Sequence, residues 1–176
     1  MARDNIRVPF GYEPPDPRNK ERGSLWVYDS FEEFTERDLE KVWELADRRN
    51  LAKTVFYPLH EETLRRMVKG AFTPHYRRVD ALQALLDAAG TDLDYVIERF
   101  ENKRKKYTPV DTAFRFLEDK YDGPFFVYVT GDTANLLASY DSFEAWIRKL
   151  RLLISGKEVG GIQPRLLQYE HRWEWV

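Results

Sequence analysis

The chain has no cysteine among its 176 residues. That excludes a disulfide scaffold, a thiolate zinc site, an iron–sulfur cluster and a cysteine nucleophile. Histidine is scarce too: His60, His75 and His171 show no pair at ligand spacing, and His60-Glu61-Glu62-Thr63 lacks the second histidine of a zinc-protease helix. Of the five serines, none lies in a Gly-x-Ser-x-Gly elbow. There is no dinucleotide glycine fingerprint, and Gly156-Lys157-Glu158-Val159-Gly160-Gly161 lacks the Lys-Ser/Thr ending of a phosphate loop. No cofactor or metal is expected from these patterns. A charge excess is also missing. With 28 basic against 30 acidic side chains the net charge is -2, which gives no global attraction to nucleic acid or anionic lipid. No apolar run of about 18 residues is present to cross a bilayer, and Met1–Arg7 carries charges where a signal peptide is apolar. A cytoplasmic location without membrane contact is the expectation.

What is present is the material of a packed domain. Hydrophobic residues make up 43% and aromatics 15%. A chain of this length buries roughly 70% of its unfolded surface. Residues 1–23 read as an extended arm, with four prolines between Val8 and Pro17 and two aromatics, Phe10 and Tyr12, that can lie on this domain or reach a second subunit. Residues 24–176 read as a single domain of the α+β or α/β class. A small mixed sheet of about five strands is flanked by helices, with a helical block between residues 60 and 121.

The elements follow from periodicity and punctuation. Leu25–Tyr28 and Thr54–Tyr57 are strands around a helix that Asp29 opens, with Glu32 completing a capping box, so a parallel β-α-β unit is expected. His60–Lys69 is a short helix. Helices capped by Thr73, Thr91 and Thr108 follow. Phe125–Val129 is apolar on both faces and should be a central strand. Leu136–Tyr140 is expected to return as a hairpin strand, a helix to run from Asp141 to Ile154, and Leu167–Trp175, which alternates apolar and polar, to be a terminal strand. Residues 25–34 and 137–146 match at six of ten positions around Asp-Ser-Phe-Glu. Local convergence on a strand end, a cap and an inward aromatic is the expected source of that echo, with a duplicated strand–helix unit as the alternative.

Asp29 and Asp132, with Thr133, are the catalytic candidates. Each aspartate follows an expected strand, where ligands of open α/β sheets gather. Val127–Thr133 and Val27–Asp29 resemble segments of haloacid-dehalogenase-type phosphatases. That resemblance implies an aspartate two places after Asp29 and another four places after Asp132, where this chain has Phe31 and Leu136. Gly70-Ala71-Phe72-Thr73-Pro74-His75 resembles the Gly-x-Phe-x-Pro-x-His turn of nucleotidylyltransferases. It is one residue shorter, has no second histidine pair and follows a helix rather than a first strand. Lys103, Arg104, Lys105 and Lys106 form a basic cluster suited to RNA phosphates, although residues 60–106 carry ten basic and eight acidic side chains. Tyr169, Trp173 and Trp175 form an aromatic edge, and interfaces favour such residues. The leading expectation is therefore a non-enzymatic binding or assembly module that self-associates, as a homo-oligomer or with a protein partner, through Tyr169, Trp173, Trp175, Phe10 and Tyr12. The alternatives are an enzyme acting on a phosphorylated small molecule with Asp29 and Asp132 at a sheet edge, and RNA binding through the basic helices.

Overall fold

The computed structural model describes residues 22–156 and 160–176. Residues 1–21 of the expected arm over 1–23, Phe10 and Tyr12 among them, lie outside the described residues. The domain is of the α/β class, a sheet flanked by helices. Among the described residues six strands contribute: β1 (Ser24–Asp29), β2 (Lys53–Pro58), β3 (Tyr95–Ile97), β4 (Phe125–Thr130), β5 (Leu150–Ser155) and β6 (Trp173–Trp175). Their order is β3-β2-β1-β4-β5-β6 and every pairing is parallel. The sheet is thus parallel throughout rather than mixed. The helices are α1 (Glu36–Arg48), α2 (Glu61–Met67), α3 (His75–Ala89), α4 (Phe100–Arg104), α5 (Val110–Lys120), α6 (Gly131–Ala138), α7 (Phe143–Ile147) and α8 (Pro164–Gln168).

Strand β1 is buried on both faces, which is why it reads as an unbroken apolar run. Leu25 and Val27 face a layer holding Leu39, Val42 and Ala46 of α1 with Leu82 and Leu86 of α3. Trp26 and Tyr28 face the opposite layer, with Phe114 and Leu117 of α5, Leu137 of α6 and Trp146 of α7. Chain order therefore winds outward in two directions from β1 and β4.

Several expected elements fall differently. Thr35, not Asp29, caps α1. Its side chain accepts from the Asp38 amide while Asp38 reaches back to the Thr35 amide. The segment after Thr91 supplies the edge strand β3 before α4 begins at Phe100, because Tyr95–Ile97 pairs with β2. Residues 136–140 form no hairpin strand. Thr130 caps α6 instead, and the chain crosses the sheet helically, as a parallel neighbour requires. The stripe from Phe143 to Ile154 is helical only to Ile147. Leu150–Ser155 is a strand buried on both faces, so its apolar run imitates helical spacing. The C-terminal alternation gives α8, a short 3-10 turn and only three residues of β6.

Candidate active site at the divergence of β1 and β4

The order 3-2-1-4-5-6 has its switch point between β1 and β4, where connections leave to opposite faces and a crevice opens at the carboxyl ends. The register shows where. β1 pairs with β2 as far as Asp29↔Pro58, while pairing with β4 ends at Val27↔Tyr128. Beyond that point a cleft of about 440 Å³ opens. Asp29, Asp132 and Thr133 all line it, so the sheet brings together the two aspartates that sequence spacing leaves 103 positions apart. Tyr128, Thr130 and Ser155 complete the floor.

Asp29 is half-buried and caps no helix. Its Oδ1 accepts from the Ser30 amide at 2.9 Å. Burial lifts its carboxyl to about 6; the Ser30 amide opposes this, and the charge of Asp38 adds to it. Asp132 is exposed in the first turn of α6, where the helix dipole favours an anion. The Thr133 amide donates to Thr130 Oγ1 at 3.2 Å, and the two hydroxyls lie 3.0 Å apart. Burial raises the Tyr128 hydroxyl, and a hydrogen bond with Ser155 opposes the rise.

Sequence reasoning missed the rest of the site. Phe31 is held at φ 60, an uncommon conformation for a bulky residue, in the turn that aims this loop. Glu32 accepts from the Thr73 amide and hydroxyl. Arg78, only 3% exposed, donates to Ser30 O at 2.6 Å, Leu59 O at 2.6 Å and Thr73 O at 2.7 Å. One guanidinium thus ties the β1–α1, β2–α2 and α2–α3 loops together. Glu32 and Glu61 stand 3.6 and 3.8 Å from it. No motif marks Arg78; it is one of a pair with Arg77 on a helix that reads as a solvated face. The three histidines do not combine either. His60 caps α2, accepting from the Glu62 amide at 3.1 Å, and stacks on buried His75 at 5.9 Å. Burial and the neighbouring Arg78 lower His75 to about 4, so it stays neutral. Among the described residues no three His, Cys, Asp or Glu side chains converge to hold a metal ion.

The remaining candidates lie elsewhere. Trp173 is core, 7% exposed, and donates to Leu166 O at 2.7 Å. Tyr169 packs edge-on to Phe143, and Trp175 is 46% exposed. The terminal aromatic row is therefore divided between core and surface. Arg104 is held by Thr108 Oγ1 at 3.1 Å, while Lys103, Lys105 and Lys106 are exposed at the end of α4. Gly70–His75 follows α2 rather than β1. Phe72 lines the cleft and His75 opens α3. No described helix is long and apolar enough to cross a membrane.

The architecture places the chain in the class of doubly wound, Rossmann-like α/β folds. Among solved structures it is similar to nicotinic acid mononucleotide adenylyltransferase of Plasmodium falciparum, complexed with NaAD. The TM-score is 0.64 at 11% identity, over 88% of this chain and 74% of that one. At that identity the likeness is one of fold. No family model matches the sequence. No curated protein matches it either. The leading expectation of a non-enzymatic assembly module is corrected here. It rested on finding no site, whereas the chain shares its fold with an adenylyltransferase, and the switch point of this sheet opens a cleft that Asp29 and Asp132 both line.

Proposed function

We propose that the chain is an enzyme acting on a phosphorylated small molecule in the cleft between β1 and β4. The observation that carries the reading is that Asp29, Asp132 and Thr133 line one cleft at the switch point of a 3-2-1-4-5-6 sheet. A carboxyl lifted to about 6 changes protonation near neutral pH, which suits Asp29 to general acid–base work. The first turn of α6 and the Thr130 and Thr133 hydroxyls offer polar contacts to a phosphate. The cleft lining carries Asp29, Glu32, Glu33, Asp38 and Asp132 and, among the described residues, no lysine, arginine or histidine. A bare phosphate is repelled there. A divalent cation arriving with the phosphate offsets the repulsion. Mg²⁺ is ordinarily held by one or two carboxylates plus phosphate oxygens and water, and Asp132, exposed on the cleft lining, would supply a carboxylate to it while Asp29 keeps its proton-transfer role.

The similar structure names a nucleotide substrate, so nucleotides lead the test. Calorimetric titration with ATP, AMP and a panel of sugar phosphates, each with Mg²⁺, should find at least one that binds. Asp29→Asn with Asp132→Asn should weaken it by about tenfold or more, the loss of charge-assisted contacts worth ~1.4 kcal/mol. No binding across the panel, or unchanged binding in the double variant, overturns the proposal.

A further inference from the structure

We infer that the apolar wall of this cleft, Leu64, Met67, Val68 and Phe72, seats an uncharged aromatic ring carried by the phosphorylated substrate; the inference rests on the reading of the cleft as the substrate site. The lining is segregated by element. The β1–α1 loop and α6 supply the carboxylates and threonine hydroxyls, with Phe34 and Leu136 beside them, while α2 and the loop after it supply only apolar side chains. Leu64 is 4% exposed and roots the wall in the core, with Met67 and Phe72 packed against that core. Val68 caps α2 with extended backbone, φ -143 and ψ 152, and stands 48% exposed at the cleft. Apolar surface inside a concave site, opposite convergent polar groups, is the usual form of a ligand pocket. The facing carboxylates repel an anionic ring and tolerate a neutral one.

The wall is also fixed in place. Thr73 is bound by Glu32 from the β1–α1 loop, and Arg78 holds Thr73 O and Ser30 O with the same guanidinium. The distance from Val68 and Phe72 to Asp29 is therefore set before any ligand arrives, and a ligand orders little on binding. A sugar phosphate lacks the ring and leaves this wall uncovered. A ring-bearing phosphate spans both walls.

The test compares three probes on the full chain with Mg²⁺ present: adenosine 5′-monophosphate, ribose 5-phosphate and adenosine. The monophosphate should bind about tenfold or more tightly than ribose 5-phosphate, a difference of ~1.4 kcal/mol. Val68→Asp should collapse that ratio to about two; Val68→Ser, milder at a half-exposed site, serves should the first variant melt. Equal binding of the two phosphates, or a ratio that survives both variants, overturns the ring seat and leaves the phosphate site standing. Adenosine binding that Val68→Asp abolishes, with neither phosphate binding better than adenosine, supports the ring seat and overturns the phosphate reading. Binding of none of the three overturns both.

Discussion

Asp29-Ser30-Phe31-Glu32 and Asp141-Ser142-Phe143-Glu144 are the same four residues at opposite ends of one sheet. The first copy follows the carboxyl end of β1; the second precedes the amino end of β5. The second opens a helix as its sequence suggests, although a short one that no side chain caps. Phe143 opens α7, lies 5% exposed in the core and meets Tyr169, and Asp141 is exposed. The first opens no helix. Phe31 is left-handed, Asp29 is half-buried with a raised carboxyl, and Glu32 reaches Thr73. Local preference is satisfied at one end of the sheet and overridden at the other, at the end where strands diverge. Tertiary ties make the difference, and Arg78 carries most of them.

Cutting those ties should produce the largest effect. Arg78→Met leaves three loop carbonyls without their donor and Glu32 and Glu61 without their cation. Breaking such a buried pair costs about 3–5 kcal/mol. Denaturant unfolding should show that loss, whereas Arg148→Met, exposed beside the second copy, should change stability by less than ~0.5 kcal/mol. Equal effects would mean that the two copies are supported alike. The next effect is in binding. Asp29→Asn should weaken the ligand found by titration about tenfold, and Asp141→Asn should not alter it. A ligand indifferent to both places the site elsewhere.

Stability against pH separates the copies further. The Asp29 carboxyl rises from 3.8 unfolded to about 6 folded. The folded chain therefore binds more protons between those values, and stability falls as pH rises through that window. The penalty is absent below pH 3.8, complete above pH 6 and, with partial solvent access, about 1–2 kcal/mol. Asp29→Asn keeps an oxygen for the Ser30 amide and removes the charge. It should match the parent near pH 3.5 and exceed it by that amount at pH 7, so the variant that loses ligand gains stability, as functional positions commonly do. A flat difference across pH would show that Asp29 is solvated after all.

How much of this the chain discloses depends on what each residue answers to. Helices α2, α3 and α5 are legible because their stripes and stop signals are local. β5 is not: Leu150, Leu153 and Ile154 fit helical spacing, and only a parallel partner on each side makes them a strand. The strand order has no local signature, since it depends on which apolar runs pair. Asp29 and Asp132 can be proposed singly, each after a strand, but their place on one cleft depends on β1 and β4 lying side by side. Arg78 and the α2 wall were invisible for the same reason. An arginine on a helix and a Leu-Met-Val stripe are ordinary until the loops above them fold together.

The smallest effect isolates backbone from side chain. Replacing both phenylalanines by alanine first removes their packing, and a further step to glycine then reads the backbone alone. At position 31 the left-handed conformation costs alanine about 1–2 kcal/mol relative to glycine, so Phe31→Gly should be more stable than Phe31→Ala by ~1 kcal/mol. At position 143 the residue is helical, and glycine should be less stable than alanine by about 0.5–1 kcal/mol. The sign of the Ala-to-Gly step should therefore reverse between two sites with identical neighbours, read as the shift in unfolding midpoint at unchanged slope. The same sign at both would mean that Phe31 adopts its left-handed turn only because of its own side chain packing on Phe34 and Phe56. The loop would then relax on truncation, and the strain that aims Asp29 into the cleft would belong to that aromatic cluster rather than to the clamp at Arg78.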